Sequence, residues 1–128
     1  MAIVTTQTFA QFAEKESVDT DLENLDIEVT GSAVFLFQVR IDNTANTAKS
    51  YVRIWDIAAA GVTVGSTVPD FILPCAASSV AEYSFFPGVH FDTAMTVACV
   101  TTAGTSGSAS PTNSVVVRLL HGATDNDI

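Results

Sequence analysis

From Leu25 onward, apolar residues recur at every second position in short runs, and each run is closed by Gly, Pro, Ser or Asp. Leu25, Ile27 and Val29 alternate with Asp26, Glu28 and Thr30. A two-residue period places one set of side chains on a buried face and the other in water, which is the signature of a half-buried strand. Further blocks rich in aromatic and β-branched residues follow at Ala33–Ile41, Tyr51–Asp56, Val68–Pro74, Val80–Phe86, Met95–Val100 and Ser114–Leu120. No helical run separates them, which excludes a parallel α/β sheet. The pattern predicts an all-β, antiparallel β-sandwich of about eight strands, either jelly-roll or immunoglobulin-like.

Residues 1–24 read differently. Thr8 to Gln11 has the form of a capping box, and Phe9 and Phe12 would share one side of a short helix. Acids then crowd the chain, with seven of the fourteen lying between Glu14 and Glu28. The expected organisation is an extended or briefly helical N-terminal arm over 1–24, a sandwich over 25–121 and an acidic tail over 122–128. Within the sandwich, Phe35, Phe37, Val39 and Ile41 would share one face of a strand, with Val34 and Leu36 on the other. A strand apolar on both faces is central in its sheet or covered by a partner. In the next strand Tyr51, Arg53 and Trp55 share a face, with Trp55 expected to pack. Thr101 to Pro111, almost all Gly, Ser, Thr and Ala, reads as a long flexible loop or a wide hairpin tip.

Charge narrows the function classes. The net charge is −9, with only Lys15, Arg40, Lys49, Arg53 and Arg118 as cations. Nucleic-acid binding needs clustered Lys and Arg, so no nucleic-acid partner is expected. Charged residues make up only 15% of the chain, against roughly 25% in ordinary soluble domains, which leaves much surface for contact with partners. No apolar run approaches the roughly eighteen residues of a membrane helix, and no membrane association or cleaved secretion signal is expected. Cys75 and Cys99 read as two buried thiols rather than a disulfide.

The chemistry of sites is sparse. His90 and Asp92 stand two apart in an extended segment and would point the same way, with Ser84 nearby. There is no nucleophile elbow or Gly-rich oxyanion turn, and His121 looks isolated near a loose end, so no enzyme and no catalytic residues are expected. Asp19, Asp21 and Glu23 alternate as in a calcium loop. Asn24 stands where the loop's glycine belongs and Thr30 where its bidentate Glu belongs, so no metal or cofactor is expected.

The central half of the chain resembles a pattern in small structural proteins of tailed bacteriophages. Tyr51–Asp56 matches an aromatic-bearing strand, Val62–Pro69 a linker closed by proline, and Phe71–Pro74 a strand end. Ser84–Ala94 stands where that family has a proline- and glycine-bearing turn. It departs by an extra Phe before Pro87, a shortened interval between Pro87 and Gly88, and Ala94 in place of glycine. The resemblance covers residues 50–103 and rests on turn and packing residues. It implies a β-sandwich module in a virion, made in the host cytoplasm. The leading expectation is a capsid decoration or cement protein that binds the major capsid protein and acts as a homotrimer. Phe9, Phe12, Asp19, Asp21, Glu23, Val34 and Leu36 are its expected contact residues. The alternative is a tail or fibre component that recognises a host glycan or surface protein through Tyr51, Trp55 or Tyr83.

Overall fold

The computed structural model describes residues 3–7 and 15–123. They form nine strands: β1 (Ile3–Gln7), β2 (Lys15–Asp19), β3 (Ile27–Thr30), β4 (Val34–Asp42), β5 (Ser50–Trp55), β6 (Phe71–Cys75), β7 (Val80–Phe91), β8 (Met95–Val100) and β9 (Val116–Gly122). One sheet has the order β1-β2-β9-β4-β7 and the other β3-β8-β5-β6, and every pairing is antiparallel. The expected antiparallel sandwich is the fold. Four of the pairings are nested: β2 with β9, β3 with β8, β4 with β7 and β5 with β6. A long antiparallel hairpin rolled into two layers has this order, which is jelly-roll rather than immunoglobulin-like topology.

The order corrects the domain boundaries. Lys15–Asp19 belongs to no separate arm, because β2 pairs with β9 over its whole length inside the five-stranded sheet. Leu22 is 1% exposed and its N–H donates to Val115 O, while Glu23 O accepts the Cys99 N–H. The acids that read as a solvated leader are spaced along a strand and its crossover. At the other end the last strand runs through Gly122, past the expected start of the tail. Phe9, Phe12 and the capping box lie outside the described residues.

The core lies between the sheets and is built from Leu36, Val39 and Ile41 of β4, Val52 and Ile54 of β5, Val97 and Cys99 of β8, and Val117 and Leu119 of β9. A bulge between Leu36 and Gln38 disturbs the register toward both neighbours of β4. One extra residue shifts the alternation by one. Val34 and Leu36 therefore face the core together with Val39 and Ile41, at 5%, 0%, 0% and 0% exposure. The core-facing phase of the strand thus shifts at the bulge, while Phe37, also buried, lies outside the core cluster. Val34 and Leu36 are core residues, and the expectation that they touch a partner is withdrawn.

Loops cover the outer face of the four-stranded sheet. Trp55 is fully buried there with Val62 and Ala98, and its indole N–H donates to Thr67 O at 3.0 Å. Arg53, on the same face, reaches into the 101–111 segment. That segment is tied down: Thr101 N–H donates to Ala109 O, and Asn24 bonds Ser108 O and Ser110 Oγ. At the β6–β7 side the sandwich is closed by the Phe71–Phe85 ring contact at 5.6 Å and a Tyr83 hydroxyl bond to Pro74 O.

Candidate functional site

The two sheets differ by one strand, and that difference creates the most distinctive site. Counting from the closed β6–β7 side, the inner face of β1 has no strand opposite it in the four-stranded sheet. Cross-strand partners share a face, so the pairs Thr5–Ser17 and Lys15–His121 bring four polar side chains to this inner face. Ser17 Oγ lies 2.6 Å from Thr5 Oγ1 and 2.7 Å from His121 Nε2, forming a continuous hydrogen-bonded chain. A notch of about 190 Å³ opens beside it, walled by Lys15 and His121 on one side and by Val29, Thr30 and Val34 on the other.

Burial controls the electrostatics here. His121 is 3% exposed. Burial, reinforced by the charge of Lys15, pulls its imidazole below the usual 6.5 and favours the neutral ring. Ser17 is fully buried and its hydroxyl is shared between Thr5 and His121. A catalytic serine needs open approach for a carbonyl and a group that orients the base. Among the described residues His121 bonds through Nε2 alone, to the buried Ser17 hydroxyl.

The expected acid cluster is split. Asp19 is fully buried, with Oδ1 accepting the Asp21 N–H at 2.9 Å and Oδ2 without a partner. Burial pushes its carboxyl above the usual 3.8. Glu23 is also raised, first by a hydrogen bond to the Asp21 side chain and then by that residue's charge. One acid faces the interior while the other two meet each other. Among the described residues no group of three His, Cys, Asp or Glu side chains is arranged for a metal ion. Asp19 is therefore a buried group and cannot form a docking surface.

This geometry has a pH consequence. The folded pKa of Asp19 lies above its unfolded value. Its contribution to stability is fully present below pH 3.8 and is lost as pH rises through the folded pKa. Asp19→Asn keeps an acceptor for the Asp21 N–H and removes the buried charge. The variant should unfold at higher urea than the parent at pH 7, and the gap should close near pH 3. A gap that is constant with pH would show that Asp19 does not change protonation.

The His90–Asp92 pair expected from the sequence is formed. His90 Nδ1 sits 2.8 Å from Asp92 Oδ1, and the Phe35 ring stacks on His90 at 4.5 Å. Ser84 stands across a break in register, opposite Gln38 where His90 is opposite Phe35, three residues of β4 away or about 10 Å at ~3.3 Å per residue. Asp56 fixes the β7–β8 turn by accepting the N–H groups of Asp92, Thr93 and Ala94. Burial works to raise its carboxyl, but those three bonds outweigh it and hold the group below 3.8. Cys75 and Cys99 are both free and buried, and burial pushes the Cys99 thiol up to about 12, far from a reactive thiolate. Neither the family models, the curated proteins nor the solved structures contain a match to this chain.

Sequence reading missed Ser17 and His121. Lys15, Ser17 and Asp19 alternate with Glu16 and Val18, a pattern in which the polar phase reads as the wet face. His121 showed only as a residue near the end. The available signal was the odd spacing itself: three polar residues two apart, and a histidine two residues after the buried Leu119 at the same strand phase.

Proposed function

We propose that this chain is a non-enzymatic virion structural protein, a capsid decoration or cement protein that sits on the shell and ties neighbouring subunits together. The observation that carries the reading is β7. It is twelve residues long and stands at the edge of the five-stranded sheet, paired only with β4 among the described strands. Its surface includes Val80, 41% exposed. A long edge strand is a template for pairing with another chain, and a shell of repeated subunits supplies such partners. The resemblance of residues 50–103 to tailed-phage structural proteins supports the same setting, since that segment contains β5, β6, β7 and β8. Jelly rolls recur in viral capsid domains and in lectins, so topology alone favours neither role.

The glycan-recognition alternative keeps Tyr51, which is half-buried, but less of its aromatic set. Trp55 is fully buried and Tyr83 is bonded to Pro74 O. The proposed partners are the major capsid protein and sister copies in a homotrimer. Val34, Leu36 and Asp19 drop out of the contact set, and Asp21 and Glu23 remain as acids of the β2–β3 crossover.

Electron microscopy of purified virions carrying a tag fused after Ile128 tests the proposal. Label over the whole head is the expected result. Label confined to the tail or to sparse spikes would overturn the capsid reading in favour of a tail or fibre role, and an absence of label would remove the virion setting.

A further inference from the structure

We infer that the notch between β1–β2 and β3 is a binding site for a short-chain carboxylate, with Lys15 and His121 receiving the carboxylate and the Val29–Val34 wall receiving the aliphatic tail. Three observations converge on this chemistry. The first is charge. The protein carries fourteen acids and five Lys and Arg residues, yet among the described residues the notch is lined by Lys15 and His121 and by no carboxylate. Glu16, next to Lys15 on β2, pairs with Arg118 at 3.6 Å, and Glu28 Oε1 accepts the Ala59 N–H. Lys15 makes no ion pair among the described residues.

The second is the proton chain. If Thr5 donates to Ser17 and Ser17 donates to Nε2, the neutral imidazole of His121 carries its proton on Nδ1. That N–H has no partner among the described residues, while the ring lines the notch. In that tautomer the buried ring is a donor, and a carboxylate oxygen is the acceptor that also answers Lys15. The hydroxyls of Thr30 and Ser32 stand at the same opening.

The third is shape. The notch measures about 190 Å³, below the roughly 300–1,000 Å³ of pockets that enclose drug-sized ligands. One wall is polar and the opposite wall holds Val29, Ala33 and Val34. A bare phosphate would leave that second wall without a contact, whereas a chain of a few methylenes would cover it.

The test is a titration of the full chain with butyrate, acetate and inorganic phosphate at constant ionic strength, read by the His121 ring signals and the Thr30 and Ser32 amide signals in NMR spectra. Butyrate should give saturable shifts at these residues and bind more tightly than acetate or phosphate. Lys15→Met keeps the apolar stem of the side chain and removes the charge, and should weaken butyrate by at least about tenfold, the scale of one hydrogen bond to a charged group. His121→Gln retains a donor near Ser17 and removes Nδ1, and should weaken it similarly. Lys15→Met alone decides the matter if the glutamine variant has an altered amide spectrum. Shifts that do not saturate, or that persist unchanged in Lys15→Met, would overturn the site. Phosphate binding as tight as butyrate would overturn the carboxylate assignment.

Discussion

Asn43→Ala is expected to cost about 3–5 kcal/mol, a large part of the roughly 5–15 kcal/mol that holds a domain of this size folded. Asn43 is fully buried, at the end of β4 where three loops meet. Its Nδ2 donates to Ala48 O at 3.0 Å and Ala76 O at 3.1 Å, with a longer contact to Cys75 O at 3.4 Å. Its Oδ1 accepts from Asn46 Nδ2 at 2.9 Å and Ser50 Oγ at 2.8 Å. Asn46 passes the connection on, bonding both O and N of Asn113 just before β9. Truncation at Asn43 leaves several buried donors and acceptors unsatisfied at once, and each costs about 1–3 kcal/mol before relaxation. Urea unfolding should show the midpoint fall with the slope unchanged. Asn43→Asp should lose at least as much at pH 7, because an anionic oxygen would then face three carbonyls. A loss under about 1 kcal/mol for Asn43→Ala would mean that water replaces the side chain and that the loops do not depend on it.

Arg53→Met is expected to release the 101–111 segment while leaving the sandwich assembled. Arg53 is fully buried, and its guanidinium donates to Gly107 O at 2.8 Å, Ser106 O at 2.9 Å and Thr102 O at 3.0 Å. Among the described residues no carboxylate balances it and its Nε has no partner, and burial lowers its pKa. Two effects oppose each other. Replacing a buried cation by an apolar side chain relieves desolvation, while three charge-assisted bonds worth about 1.5–3 kcal/mol each are lost. The bonds outweigh the relief, but the freed carbonyls can turn to water, so the net loss should be about 2–3 kcal/mol. The sharper effect is local. Exchange of the Thr101 amide, which donates to Ala109 O, should accelerate by about a hundredfold. Arg53→Lys should fall between, since an ammonium cannot span three carbonyls with one planar fork. Unchanged protection at Thr101 in Arg53→Met would assign the hold on the loop to Asn24 instead.

The fold class was legible because strand formation depends on a local pattern. Leu25–Val29, Tyr51–Trp55 and Met95–Val100 carry their apolar phase and their turn signals within a few residues, and short strands without helices leave few architectures. The N-terminal segment was misread for an equally physical reason. In β2, Lys15, Ser17 and Asp19 form a polar phase, and a polar phase normally marks the wet side. Only the pairing with β9, about a hundred residues later in the chain, turns that phase inward. The phase shift in β4 was hidden too, because a bulge leaves no mark in composition and is defined by its neighbours' register.

Local alternation, turn residues and net charge by themselves determined that this chain forms an antiparallel sandwich with an acidic character. They also identified Trp55 as a packing residue. Tertiary structure alone decided the nested jelly-roll order, the inclusion of residues 15–24 in the fold, the burial of Val34 and Leu36, and the meeting of Lys15, Ser17 and His121. The physical reason is one of range. A strand's two faces are set by neighbours in sequence, whereas which face is covered depends on a second sheet, and here the four-stranded sheet stops one strand short of β1. The notch exists because of that mismatch, and no local pattern records it.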